Sequence, residues 1–297
     1  MGKKHENLVV VDAETGTSTN IIDFKASYPD RFVTTGIAEQ AAVSFSSSAA
    51  RSGKIVILPL FSCFLTRRAC DQIFIQVGYS NANVKMIGCY SGMTSPNTGA
   101  THQSVNDIAI IRSMPNIVVV ETADPGELKR ALEAAVLYKG PVYLRMIRGD
   151  LDAYDVQCVS DNQKFDLFKS TKLVEGSDIS IVASGLMVPR ALEAARILAK
   201  KNVLAEVINC SAIKPLDSDT IIASAKKTGK VVTCENHNIY GGVGSAVAEC
   251  LSQYCPVPMR IVGIEDEYGW SGALEDLLAK YGLTTEKILK KAEELLK

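Results

Sequence analysis

The chain has 297 residues, enough for two domains of about 150 residues each. Apolar residues make up 47% and charged residues 22%, the balance of a globular protein with a full core. With 32 basic against 33 acidic residues the net charge is −1, which offers nothing to nucleic acid or an anionic membrane, and no apolar run approaches the roughly 18 residues of a spanning helix.

The first residues, MGKKHENLVVVDAE, lack the long apolar stretch and cleavage site of a signal peptide, and Glu6 stands where a myristoylation pattern wants Ser or Thr. A cytoplasmic protein is therefore expected. The eight cysteines form no CxxC pair and only three histidines exist, so no metal-ligand spacing is present. Reduced thiols packed as small hydrophobes are expected instead.

Short apolar runs alternate with helical patterns along the chain. Strands are predicted at Phe32–Thr35, Lys54–Leu60, Val84–Cys89, Ile117–Val120 and Val142–Met146, with helices near 37–51, 66–79, 103–113 and 125–138. Several strands are almost continuously apolar, as when helices cover both faces of a parallel sheet. Residues 150–172 lose this rhythm and turn polar, which reads as a linker. The alternation then restarts, with strands Ile179–Ala183, Ala205–Asn209, Lys230–Cys234 and Arg260–Gly263 and helices near 188–201, 217–227, 243–254 and 273–279. A last amphipathic helix, Thr285 to Leu296, starts at Thr284 or Thr285 with Glu286 in its first turn. The pattern predicts an α/β protein of two consecutive domains with mostly parallel sheets: residues 1–155, a linker at 156–172, and residues 173–297.

Four places along this framework carry candidate chemistry. Glu39, in Gly36-Ile37-Ala38-Glu39-Gln40, sits between a strand and a helix, at the carboxyl edge where open α/β sheets place ligands. A Glu there also suits the helix dipole without any further role. Phe61 and Phe64 follow the strand 54–60 and read either as core packing or as a platform for a flat ring. His102 ends the polar loop 90–102 at the start of a predicted helix 103–112, where it serves either as a capping residue or as a proton-transfer group. Gly241-Gly242-Val243-Gly244-Ser245 opens a helix like a phosphate-cradling turn but is not GxGxxG, so close helix–strand packing is the favoured reading.

Longer stretches then resemble a known family. GIAEQ, FSCFLTRRACDQI, GATHQSVNDIAIIRSMPNIVVVETADP and GPVYLRMIRGD resemble the pyrimidine-binding domain of transketolases. VVTCENHNIYGGVGSAVAE and VGIEDEYGWSGALEDLLAKYGLT resemble the transketolase C-terminal domain, so the likeness covers nearly the whole chain in the family's order. It implies a thiamine diphosphate enzyme in which Glu39 hydrogen-bonds N1′ of the aminopyrimidine and favours the imino tautomer that takes the proton from thiazolium C2. The resemblance gives Phe64, with Phe61 nearby, the stacking role on the pyrimidine. It places His102 beside the reacting carbons, and Arg148 and Ser18 at the substrate phosphate.

The domain with a GDG motif and a later Asn, which in full-length relatives holds Mg²⁺ and the diphosphate, has no counterpart in this sequence. The expectation is a C-terminal subunit of a split transketolase, active only with a separate N-terminal subunit in an α₂β₂ assembly. The family loop THxGxxxGEDGxTHQ reads CYSGMTSPNTGATHQ here, with Tyr90 in place of a phosphate-contacting histidine and Asn97-Thr98 in place of Glu-Asp. Losing a charged hydrogen bond costs about 1.5–3 kcal/mol when nothing replaces it, so a non-standard sugar or sugar-phosphate substrate is expected, with Tyr90 and Thr98 in contact with it. Two other readings stand beside this one: a subunit of another thiamine diphosphate enzyme (2-oxo acid dehydrogenase β-like or deoxyxylulose-phosphate synthase-like), and a non-catalytic regulatory subunit.

Overall fold

The computed structural model describes residues 1–147, 157–160 and 164–297. Its first sheet takes β1 (Leu8–Asp12), β2 (Phe32–Thr34), β3 (Ile55–Phe61), β4 (Val84–Cys89), β5 (Val118–Glu121) and β6 (Val142–Arg145). The second takes β7 (Thr171–Val174), β8 (Ile179–Ala183), β9 (Ala205–Asn209), β11 (Val231–Asn238) and β12 (Met259–Ile264), while β10 (Ala212–Lys214) returns to the first. The sheet orders are β10-β5-β6-β4-β3-β1-β2 and β12-β11-β8-β9-β7. Every pairing is parallel except β10 on β5 and β7 on β9. Two mostly parallel α/β sheets are thus what the alternating pattern predicted.

The central strands explain themselves. β3 reads IVILPLF and β4 reads VKMIGC, buried along nearly their whole length because helices cover both faces. Helix Val188–Ala199 buries Ala191, Ala194, Ala195 and Leu198 at helical spacing against the second sheet. Thr284 caps the last helix by accepting from the Lys287 amide, as Thr-Thr-Glu predicted. The eight cysteines are free thiols, and burial pushes Cys89 and Cys210 up to about 12. No helix among the described residues is long and apolar enough to cross a membrane.

Three strands escape the sequence pattern. β1 is short but lies between β2 and β3. β7 is an edge strand that straddles the end of the stretch read as linker, with Thr171 and Lys172 inside it and Leu173 and Val174 beyond it. β10 has only three residues, yet it carries the second half of the chain onto the edge of the first sheet.

Two predicted helices also change. The one expected at 66–79 is broken into Ser62–Arg68, Cys70–Gln72 and a wider π-type turn at Ile73–Tyr79. The one expected at 103–113 starts only at Asp107. Residues Gln103 and Ser104 are drawn aside because Ser104 exchanges backbone hydrogen bonds with Gly92, at 2.8 and 3.0 Å. His102 therefore sits in a turn, its amide donating to the Gly99 carbonyl, and not at the start of a helix.

The glycine turn before helix Val243–Tyr254 holds a side chain of this protein. The Glu235 carboxylate accepts from the Val243 amide at 2.6 Å and from the Gly244 amide at 2.9 Å. A Cβ on Gly242 would collide with that carboxylate, so glycine is required by close approach. The acceptor that the helix N-terminal amides call for is supplied from within the chain.

Between the two sheets lies a buried polar seam centred on Arg145, which has no solvent exposure. Its Nε donates to Asp107 Oδ2 at 2.8 Å, Nη1 to Glu121, and Nη2 to the carbonyls of Asn236 at 2.8 Å and Ser104 at 3.2 Å. Tyr143 donates to Asp107 at 2.6 Å, and Ser184 of the second half donates to Glu121 at 2.7 Å. Burial pushes the Asp107 carboxyl up, but Arg145, with smaller help from His237 and the Tyr143 hydroxyl, brings it below the usual carboxylate range.

Candidate active site

The strand order places four loops side by side. β4, β3, β1 and β2 are neighbours and parallel, so the segments leaving their carboxyl ends share one edge of the sheet. These segments carry Tyr90, Phe61 with Phe64, Ser18, and Glu39.

Glu39 is the first residue of helix Glu39–Arg51, reached from β2 through a turn in which Gly36 has φ +72°. The Thr35 amide donates to the Asp12 carbonyl at 2.9 Å, which anchors that turn to the end of β1. Glu39 is 7% exposed and receives Arg68 Nη1 on Oε1 at 2.8 Å. The Arg68 guanidinium in turn lies 3.9 Å from the centre of the Phe64 ring. Beside the pair opens a cavity of about 460 Å³ lined by Ile37, Ala38, Glu39, Gln40, Ala41 and Arg68.

The aromatic residues continue the chain of contacts. Phe64 meets the His102 ring edge-on, with centroids 4.9 Å apart, and Phe61 lies 5.7 Å from Phe64. Phe61 stacks on Tyr90 at 4.4 Å with an 18° tilt. Tyr90 has φ +59°, a conformation that is uncommon without glycine, and its hydroxyl donates to the Ser18 carbonyl at 2.8 Å. That hydrogen bond ties the loop after β1 to the loop after β4. His102 Nδ1 shares a hydrogen bond of 2.8 Å with Thr101 Oγ1, which leaves Nε2 as the ring's other proton-carrying atom.

The structure therefore links Glu39, Phe64, Phe61, His102, Tyr90 and Ser18 through Arg68 in one contiguous set. Thr98 stands apart from it. Its hydroxyl pairs with Ser95 Oγ at 2.7 Å, and its turn packs on the second half, where the Gly272 amide donates to the Pro96 carbonyl. Arg148 lies outside the described residues. Sequence reasoning misses Arg68, because Arg67-Arg68 reads as part of a family motif with no role of its own. The only signal is a basic pair shortly after an aromatic, which is also what a solvated helix end looks like.

The family model described as "Transketolase, pyrimidine binding domain" matches residues 1–153, and that described as "Transketolase, C-terminal domain" matches residues 169–288. The chain belongs to the transketolase family. It is 39% identical to the 6-deoxy-6-sulfo-D-fructose transketolase subunit SqwH of Clostridium sp. (strain MSTE9), over 99% of this chain and 90% of that one. It is 37% identical to an apulose-4-phosphate transketolase subunit of Phocaeicola vulgatus, over 100% of this chain and 94% of the relative. A solved structure of a split gene transketolase, an inactive beta4 tetramer, matches with a TM-score of 0.91 at 36% identity, covering 99% of this chain and 94% of that one. The likeness to split-transketolase subunits therefore runs the length of the chain.

Proposed function

We propose that this chain is the C-terminal subunit of a two-chain, thiamine diphosphate-dependent transketolase. It transfers a two-carbon ketol unit from a ketose to an aldose acceptor, with residues 1–155 carrying the pyrimidine site, 156–172 as linker and 173–297 as the C-terminal domain. The observation that carries this reading is the set Glu39, Phe64 and His102 at one sheet edge of a transketolase-family chain.

The donor set fits an aminopyrimidine. Glu39 offers a carboxylate nearly withdrawn from solvent, and Arg68 engages only its Oε1. Phe64 offers a ring face, whereas Phe61 already stacks on Tyr90. Phe64 is accordingly the stacking residue and Phe61 the support behind it. When held here, thiamine diphosphate would supply a nucleophilic carbon and an electron sink for the ketose carbonyl. Glu39 binds the ring nitrogen and fixes its tautomer through a charge-assisted hydrogen bond. His102, held through Nδ1, presents Nε2 to move a proton at the substrate oxygen.

Two relatives are themselves named as subunits, which supports a separate partner chain. We take the assembly to be α₂β₂, with the N-terminal subunit holding the diphosphate and Mg²⁺, and the location to be the cytoplasm. The relatives are named for a 6-deoxy-6-sulfo-D-fructose and an apulose-4-phosphate transketolase, which supports a non-standard substrate for a chain whose 90–98 loop departs from the usual one. In this reading Arg148, Ser18 and Tyr90 shape the sugar site, and Thr98, whose hydroxyl is held by Ser95, acts on it through the loop that it closes. Tyr90→His with Thr98→Asp is then expected to raise turnover of ordinary pentose phosphates. Strong wild-type activity on xylulose 5-phosphate with no gain in the double variant would argue against it.

Glu39→Gln, measured in the assembled two-chain enzyme, tests the central assignment. Loss of a positioned proton-transfer partner typically costs roughly 10²–10⁴ in rate, and a fall of about that size in kcat with unchanged subunit assembly is expected. Activity above about a tenth of wild type would remove Glu39 from the mechanism.

A further inference from the structure

We infer that Arg68 is a stand-in for the cofactor's aminopyrimidine, holding its seat in the isolated chain and leaving when the ring arrives. The inference rests on the roles of Glu39 and Phe64 proposed above, and it concerns what occupies their contact points beforehand.

The guanidinium holds the same two groups that the ring would use, the Glu39 carboxylate and the Phe64 face. It hydrogen-bonds Glu39 Oε1 at 2.8 Å and lies 3.9 Å from the Phe64 ring centre. A guanidinium is flat, carries in-plane N–H donors and stacks on aromatic faces, as does an aminopyrimidine protonated on its ring nitrogen. At 3.9 Å the Phe64 face it covers has no room for a second ring. A ring that stacks on that face must displace Arg68, whichever oxygen of Glu39 it takes.

The two partners differ in their freedom to move. Glu39 has 9% of its side chain exposed, whereas Arg68 has 52%. Arg68 can swing into solvent or against an incoming chain, and Glu39 stays. The contact is also able to yield, since the Arg68 end of the pair is half in water and an ion pair or cation–π contact screened in this way is weak. Together they would hold the seat closed by a factor of roughly ten.

Arg67, one residue earlier, is tied down elsewhere. Its Nε donates to the Cys63 carbonyl at 3.2 Å and its Nη2 to the Thr101 carbonyl at 2.9 Å. It thus supports the His102 turn and has no part in the seat. The break between helices Ser62–Arg68 and Cys70–Gln72 falls directly after Arg68, at the end of its own helix.

Binding of 4-amino-2-methylpyrimidine to the isolated chain, followed by ligand-observed NMR, tests this without any catalysis. Arg68→Ala is expected to bind the fragment about tenfold more tightly than wild type, and Arg68→Lys to fall between, since it keeps the charge but loses the flat fork. The same variant in the two-chain enzyme should load thiamine diphosphate faster in stopped flow. Fragment binding by Arg68→Ala that is equal to wild type, weaker or undetectable would overturn the inference and make Arg68 a residue that positions Glu39. Unchanged thermal unfolding of Arg68→Ala guards against a folding artefact. If Arg68→Ala binds more tightly but adding Glu39→Gln or Phe64→Ala changes nothing, the fragment sits elsewhere and the site reading fails along with the inference.

Discussion

At the edge of the first sheet Arg68 meets Glu39 with about half of its side chain in water, whereas at the seam between the halves Arg145 meets Asp107 and Glu121 with none. The chemistry of the two contacts is the same, and the surroundings make them opposites. Arg68 ends a short helix, makes one ion pair and one ring contact, and loses little by leaving. Arg145 distributes its donors over two carboxylates and two carbonyls from three separate regions of the chain. Removing either end of such a set strands a buried charge. A contact meant to be exchanged for a ligand belongs in the first setting, and a contact meant to fix two domains belongs in the second.

Arg145→Met should separate the two regions most sharply. It leaves Asp107 and Glu121 without their cation in a fully buried place. Breaking a buried pair by removing one partner costs about 3–5 kcal/mol, whereas Arg68→Ala should cost clearly less, about 1–2 kcal/mol, because Arg68 is half exposed and Glu39 borders an open cavity that water enters once Arg68 is gone. Urea unfolding of the two variants side by side checks this. Equal costs would mean that the seam is no more structural than the site edge.

Acid provides a second and smaller lever, because it acts on the seam through His237. Its Nδ1 lies 2.7 Å from the Asn238 carbonyl and must carry the proton, while Nε2 accepts from the Ala109 amide at 3.4 Å. Burial pushes the imidazole down to about 4, with Asp107 opposing and Arg145 adding to the shift. A folded-state value below the ordinary 6.5 means that His237 contributes stability above pH 6.5, which is lost as pH falls toward 4. Burial raises Glu235 and Glu127 to about 7, which acts in the opposite direction, favouring the folded state as pH falls below 7. The informative quantity is therefore the difference between wild type and His237→Asn, which keeps a donor for the Asn238 carbonyl. That difference should shrink by about 1–3 kcal/mol between pH 6.5 and 4.5. A pH-independent difference in melting temperature would show that His237 does not titrate between the folded and unfolded states.

The contrast also accounts for what can be read in the sequence. Most strands of the two sheets are legible because a strand buried on both faces has to be written in apolar residues, as β3 and β4 are. Glu39, Phe64 and His102 are legible through their motifs and their positions after strands. β7 and β10 are not, because an edge strand and a three-residue strand owe their place to a partner far along the chain and have little local pattern. The seam is hidden for the same reason. Arg145, Asp107, Glu121 and Asn236 are ordinary residues in sequence and become a unit only when the two sheets meet. Arg68 is hidden by resembling any charged residue at a helix end, since its significance is a ring and a carboxylate brought together by the fold.

The smallest effect lies on the outer rim of the same seam, where Arg112 makes paired hydrogen bonds to Glu249 at 2.8 and 2.6 Å. The pair joins the two halves as Arg145 does, but the Glu249 side chain is 60% exposed. Exposure screens the attraction, so Glu249→Ala should cost about 0.5 kcal/mol and nothing measurable in 1 M salt. Arg112→Ala should cost more, because Arg112 Nε also donates to the Gly241 carbonyl at 3.1 Å, a tie that survives in Glu249→Ala. Salt titration of both variants during thermal unfolding tells the two contributions apart. A Glu249→Ala penalty as large as that of Arg145→Met, persisting in high salt, would mean that the rim and the buried centre act as one cooperative interface, and burial alone would no longer explain the difference between the seam and the site edge.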